Sequence, residues 1–180
     1  MLKDFLTKNS TLSPTRRLAV CYALALLVTA ADQLHKWYML DVINITETAP
    51  IRVFPFFNYV MVWNPGISFG MFRDNSHTAY IFSGLAALII LVLSVWLYRT
   101  SSRLMIIAIG VVIGGAIGNV IDRLRFGAVA DFFDFHVMGY HWPAFNIADA
   151  MVFTGALLLC IESVVSNPCS ATKDAKNETT

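Results

Sequence analysis

The chain has 180 residues, of which 57% are hydrophobic and only 14% charged, with a formal net charge of +1. Soluble domains average roughly 45–50% apolar and 25% charged residues, so this is the composition of a membrane protein. The sparse, nearly balanced charge excludes a large basic surface and with it nucleic acid as a partner, and three cysteines without Cys-x-x-Cys spacing suggest neither a disulfide framework nor a metal site.

The first polar stretch, residues 1–15, reads as a poorly ordered tail. Residues 16–166 form one membrane domain, and its first apolar segment runs from about Leu18 to Leu40. Leu18-Ala19-Val20-Cys21 resembles a lipid-attachment box, but there the apolar run precedes the cysteine, and here Arg16 and Arg17 do. The outer segment 41–76 follows. Its runs Ile51–Phe54 and Tyr59–Trp63 are rich in β-branched and aromatic residues and are followed by an Asn64-Pro65-Gly66 turn, which predicts a small sheet.

Three further apolar segments, about His77–Tyr98, Leu104–Ile121 and Phe145–Val165, each approach the roughly 20 residues that a helix needs to cross a bilayer. The second outer segment, 122–144, is aromatic, as suits chain at a membrane interface, and His136 and His141 read as interfacial. A polar tail, 167–180, closes the chain. The expected fold is therefore an all-α membrane protein of four transmembrane helices with a small sheet outside the bilayer. With the amino terminus in the cytoplasm, Lys3, Lys8, Arg16, Arg17, Arg99, Arg103, Lys173 and Lys176 all lie on the cytoplasmic side, so the positive-inside rule places both termini there.

Ionisable residues within spanning helices are costly and mark function by default. Asp32 lies about 21 Å along the first helix, Asp122 about 27 Å along the third, and Asp149 about 6 Å below the outer end of the inward-running fourth, at ~1.5 Å per residue. Three carboxylates thus gather at one depth. Helical spacing adds His35 and Lys36 beside Asp32, Asn119 beside Asp122 and Arg123, and Asn146 beside Asp149. The plainer reading, interhelical hydrogen bonds and snorkelling charges, suits Lys36 and Arg125 near helix ends but suits Asp149 with Asn146 poorly. Gly110, Gly114 and Gly118, with Gly115 beside them, give the third helix a face for close packing.

Paired carboxylates can perform aspartic-protease chemistry, one as base and the other as acid. No GxSxG elbow or His-Glu-x-x-His helix supplies another class. A small transporter or proton channel is the alternative, but a relay would spread its carboxylates across the bilayer, whereas the inner halves are apolar apart from Glu162. The absence of an internal repeat also weighs against a transporter.

The strings themselves carry a resemblance. Gly114-Gly115-Ala116-Ile117-Gly118-Asn119-Val120-Ile121-Asp122-Arg123, followed by Val129-Ala130-Asp131-Phe132 and Phe145-Asn146-Ile147-Ala148-Asp149, is similar to the signature of the lipoprotein signal peptidases, or signal peptidase II. Asp32-Gln33-x-x-Lys36 and Asn64-x-Gly66-x-Ser68-Phe69 also match, and Ala150 stands where many members have Ser. The resemblance implies an inner-membrane aspartic endopeptidase that needs no cofactor or metal and cuts prolipoproteins before their diacylglyceryl-modified cysteine. It implies Asp131 and Asp149 as the catalytic pair, and a β-cradle formed by residues 41–76 resting on the membrane outside the cytoplasm. The implied partners are lipid-modified signal peptides, membrane phospholipid and globomycin-type inhibitors. Asp32, Lys36, Asn64, Gly66, Asn119, Asp122, Arg123, Asn146 and Ala148 take supporting or substrate-binding positions.

Asp122 is expected to be a structural carboxylate paired with Arg123. The apolar surroundings of Asp131 favour its neutral form, and the first-turn position of Asp149 favours its anion.

Overall fold

The computed structural model describes residues 12–66 and 77–166. Ser68, Phe69, Cys169 and the two polar tails up to residue 11 and from 167 lie outside the described residues. Among the described residues four helices are long and apolar enough to cross a membrane.

Helix α1, Pro14–Trp37, starts where Ser13 accepts the Arg16 N–H and Pro14 occupies a position that needs no donor. It continues through a π-helical turn, Tyr38–Val42, and a single turn of helix at Ile45–Thr48. Helix α2 spans Thr78–Arg99, α3 Arg103–Phe126 and α4 Ile147–Ser166.

The third apolar segment was expected to end near residue 121, and α3 instead runs to Phe126. Its stop is Gly127, whose φ of 75° is the left-handed conformation that ends helices, with its N–H on the Arg123 carbonyl at 3.0 Å. Asp122 faces the bundle interior and is fully buried, so its charge does not terminate the helix.

Helix α3 is the hub. In its most apolar window 61% of residues are buried, against 17–22% for the other three, whose Leu26, Leu27, Ile81, Phe153 and Val164 face outward. The glycine face makes this possible. A Cβ at Gly114 would stand 2.6 Å from the Ala25 carbonyl of α1, and one at Gly115 2.5 Å from the Ala148 carbonyl of α4. Two neighbours therefore approach α3 at backbone distance on adjacent faces, as small-residue packing allows. Below them Cys21, Ala25, Leu93, Leu97, Ile106, Ile109, Val112 and Ile113 form the apolar core.

The ends where α1 stops and α2 starts, and where α3 stops and α4 starts, share one side of the bundle and carry a sheet of order β1-β2-β3-β4, antiparallel throughout. β1 is Ile51–Phe54 and β2 Phe57–Asn64, as the composition of that segment predicts. β3, Val129–Val137, and β4, Tyr140–His141, come from the second outer segment, where the sequence suggested only interfacial chain. The cradle is thus built from both outer segments. A bulge in β2 sets Val60 and Met61 against Phe132 alone, between the Tyr59–Phe133 pair and the pairing of Val62 with Asp131.

Candidate active site

Asp149 is fixed by the way α4 begins. Asn146 caps the helix: its Oδ1 accepts the Asp149 N–H at 2.9 Å, and the Asp149 carboxylate in return accepts the Asn146 N–H at 3.4 Å. This reciprocal capping box satisfies two donors that a helix start otherwise leaves open. Asn-x-x-Asp is therefore a local structural unit as well as a site motif. The Asn119 Nδ2 of α3 donates to the other oxygen of Asp149 at 2.7 Å.

Asp131 comes from β3, whose burial pattern is fully buried over Val129–Phe132. The strand is pinned to the start of α4 by Phe145, whose carbonyl accepts the Phe132 and Phe133 N–H groups at 3.1 and 2.8 Å. That contact brings the Asn146 Nδ2 within 2.7 Å of Asp131 Oδ1. One asparagine side chain thus bonds Asp131 through its amide and the Asp149 backbone through its carbonyl. The second oxygen of Asp131 accepts Asn64 Nδ2 at 3.0 Å. Asn64 is aimed by its own turn, since its Oδ1 accepts the Gly66 N–H at 2.8 Å, leaving only the amide nitrogen to face Asp131. Gly66 has a φ of 97°, and a Cβ there would run into the Phe82 ring at 2.8 Å, so this turn requires glycine on both counts.

Burial, and then the neighbouring Asp149 carboxylate, push Asp131 up to about 7, against the opposing pull of the Asn64 and Asn146 amides and the Lys36 charge. Asp131 is 1% exposed, whereas Asp149 is partly open. It lines an apolar cavity of about 400 Å³ with Trp142, Phe145, Ala150, Phe153 and Thr154. A larger cavity of about 520 Å³, between Phe56 and the β3–β4 hairpin, touches neither aspartate.

Asp32 and Asp122 are brought close to the pair but enter a different cluster. Lys36 Nζ lies 2.8 Å from Asp32 Oδ2 and 2.6 Å from Asp122 Oδ2, with all three side chains at most 3% exposed. Asp122 is therefore held by Lys36, a correction to the expected pairing with Arg123, and Lys36 does not snorkel. The reason is geometric: Lys36 follows Asp32 by four residues on α1, and the glycine face of α3 lets that side of α1 come within reach of Asp122. Gln33, whose part the helical spacing did not disclose, donates to Asp122 Oδ1 at 2.9 Å and to the Gly118 carbonyl at 3.2 Å. Gly118 leaves the room for this, because a Cβ there would meet Asp32 Oδ2 at 2.6 Å. Ala148 is fully buried and gives its N–H to Asp32 Oδ1 at 2.9 Å.

Arg123 donates to the Asn119 carbonyl at 3.4 Å and lies over the Phe82 ring at 5.5 Å, within the electrostatic reach of Asp149, Asp122 and Asp131. Its Nε is buried with no hydrogen-bond partner among the described residues. His35 turns away from the polar cluster into Tyr59, Phe132 and Phe133. Arg125 is exposed beside Phe126, as a snorkelling residue is. Among the described residues no group of three or more His, Cys, Asp or Glu side chains is arranged to hold a metal ion.

This architecture has relatives. Residues 24–165 match the family described as signal peptidase (SPase) II. The lipoprotein signal peptidase of Beijerinckia indica is 42% identical over 143 residues, covering 79% of this chain and 86% of that protein. That of Nitrobacter hamburgensis is 40% identical over 159 residues, 86% and 96% of the two chains. A solved bacterial membrane enzyme superposes with a TM-score of 0.71 at 26% identity, covering 91% of this chain and 96% of its own.

Proposed function

The chain belongs to the signal peptidase II family, and from that premise we propose that it is an aspartic endopeptidase which cleaves prolipoproteins immediately before a diacylglyceryl-modified cysteine, with Asp131 and Asp149 as its catalytic pair. It is a multi-pass membrane peptidase that removes signal peptides from lipoprotein precursors. The finer reading rests chiefly on one observation: Asn146 joins two aspartates from different elements, its side-chain amide bonding the Asp131 carboxylate and its carbonyl the Asp149 backbone N–H, and both carboxylates are otherwise held by neutral amides.

Such an arrangement suits amide hydrolysis. Asp149, open to the cavity, takes a proton from water as the water oxygen bonds to the scissile carbonyl carbon. Asp131, carrying a proton near neutral pH, donates a hydrogen bond to the carbonyl oxygen as charge develops there. Collapse of the tetrahedral intermediate breaks the C–N bond, and the proton on Asp149 passes to the leaving amine. The Asn119 and Asn64 amides keep the two carboxylates in place without neutralising either, and the Arg123 guanidinium is suited to the substrate backbone. The apolar cavity beside Asp149 suits a small or lipid-bearing residue next to the cut.

In this reading the enzyme sits in the bacterial inner membrane with both termini in the cytoplasm, as the distribution of Lys and Arg along the chain supports, so that the sheet and the pair lie at the outer face. Phospholipid surrounds the bundle, and globomycin-type inhibitors occupy the substrate path. A transporter would need polar groups continued through the bilayer, and the core beneath the site is apolar.

The test uses purified enzyme with diacylglyceryl-modified prolipoprotein and with its unmodified precursor. Cleavage of the modified substrate alone is expected, unaffected by chelator, and abolished in Asp131→Asn and Asp149→Asn. Equal cleavage of both substrates overturns the lipid requirement, and an active Asp131→Asn enzyme overturns the pair.

A further inference from the structure

We propose that Lys36 is a positioning residue that sets the spacing of the aspartate pair, by holding two carboxylates that each accept the backbone N–H of the residue directly before a member of that pair. Asp122 Oδ2 accepts the N–H of Ala130, which precedes Asp131, at 3.2 Å. Asp32 Oδ1 accepts the N–H of Ala148, which precedes Asp149, at 2.9 Å. Both carboxylates close on the Lys36 ammonium, at 2.6 and 2.8 Å, and its remaining donor points to Asn119 Oδ1 at 3.5 Å. The proposal rests on the reading of Asp131 and Asp149 as the catalytic pair.

The pattern is more specific than a bundle tie. An interhelical tie would join α1 to α3, and this cluster does so, but its two outer bonds end on β3 and on the first turn of α4. Those are the two elements that carry the pair. Lys36 touches neither Asp131 nor Asp149 and is 2% exposed, so it has no direct part in binding substrate. Without its charge, two fully buried carboxylates would face each other across α1 and α3 with Gln33 alone between them. They would move apart, each taking one backbone N–H with it. Shifts of well under an ångström at a reacting centre already cost rate.

With both carboxylates ionised and Lys36 protonated, the cluster carries one negative charge in excess. Lys36→Met adds to that excess, whereas Asp32→Asn/Lys36→Met leaves it unchanged while still removing the clamp. The two variants therefore separate position from charge. Outside the cluster, among the described residues, the Lys36 charge also bears on Asp131, which it pulls downward, and on the His35 ring.

The experiment measures kcat and KM per folded molecule for the full chain in detergent, using diacylglyceryl-modified prolipoprotein across pH 5–9, with Asp149→Asn alongside. Folded fraction is taken from cooperative thermal unfolding. In both clamp variants kcat is expected to fall about 30-fold or more with KM within about threefold, as misplacement of reacting groups produces. The alkaline limb of the pH profile moves upward in Lys36→Met, and it returns towards wild type in the double variant without recovery of kcat.

Recovery of kcat in the double variant would reduce Lys36 to a source of charge and overturn the proposal. So would a kcat per folded molecule within about threefold of wild type in either variant, or a double variant unable to fold, which would make the cluster a structural prop. Should Asp149→Asn remain active, the underlying reading of the pair falls first, and the clamp with it.

Discussion

Two sets of buried carboxylates lie side by side in this molecule, and they are held by opposite means. Asp32 and Asp122 share an ammonium, take backbone N–H groups and are fully buried. Asp131 and Asp149 have side-chain partners that are neutral amides from Asn64, Asn119 and Asn146, and one of them opens to a cavity. A carboxylate closed on a cation is held in place by that partner, and removing either one leaves the other buried without its counter-charge. A carboxylate held by amides keeps its place while its proton stays negotiable. The chemistry of the partners therefore distinguishes the two sets where depth in the membrane cannot, and it supports the proposal that Asp131 and Asp149 react while Asp32 and Asp122 hold the scaffold.

The contrast is broken most severely at the pair itself. Asp131→Asn and Asp149→Asn preserve shape and most hydrogen bonds while removing the proton-exchanging group, so kcat should fall on the order of 10³- to 10⁴-fold in a single-turnover cleavage assay. A loss of the same size from Asp122→Asn, with Asp149→Asn nearly active, would reverse the assignment of the two sets.

Asn146 joins the two members of the pair, so Asn146→Ala is the next largest perturbation. Loss of its cap should cost about 1 kcal/mol of stability, visible as a modest fall in melting temperature. Loss of the bridge should cost about 100-fold in kcat, far beyond what the cap alone would explain. If activity falls only as far as the folded fraction does, Asn146 is a cap and nothing more.

The pH profile sharpens the comparison further. Asp131 must hold its proton to act as the acid, and it is pushed up to about 7. Cleavage should therefore fall about tenfold between pH 6 and pH 8 as that proton is lost, with the limb belonging to the coupled pair. The sign for stability is the same. A carboxyl raised in the folded state favours folding least once pH exceeds its folded value, so wild-type stability should decline from about pH 4 to pH 7. Asp131→Asn should abolish that decline and melt higher than wild type at pH 8.

Much of this was legible in the sequence, because apolar length announces four spans and three carboxylates at similar helical rise announce a polar cluster. The motifs singled out Asp131 and Asp149. Two things were hidden. β3 carries Asp131 and Asp134 within an aromatic run, so its alternation does not read as a strand, and its partner β2 lies across a spanning helix hairpin in the chain. The partner of Asp122 was hidden too, since Arg123 adjoins it in sequence while Lys36 reaches it only because Gly114 and Gly118 let α1 approach. Residues that are neighbours along a helix face different ways, and that rule points away from Arg123.

Asp134 offers the smallest and cleanest control on the comparison. It is a third kind of carboxylate, on β3 opposite Asn58 and 6% exposed, but bonded to an exposed histidine. Some burial raises it, but hydrogen bonds from His141 at 2.8 Å and Asn58 at 3.1 Å, with the charges of His141 and His136, hold it below the ordinary carboxylate range. In partners it resembles Asp122, since it accepts from an amide and from a basic group. In setting it does not, because the His141 side chain is 56% exposed, and solvent screens such a pair to roughly 0–1 kcal/mol. A depressed carboxylate contributes stability above its unfolded value and loses it as pH falls through the folded one. Asp134→Asn should therefore lower stability slightly at pH 7, approach wild type as pH falls through the depressed folded value of Asp134, and leave kcat within twofold. A large loss of activity from this substitution would mean that the sheet rim takes part in catalysis, and that the identity of a carboxylate's partners is a poorer guide to its role than the two buried sets suggest.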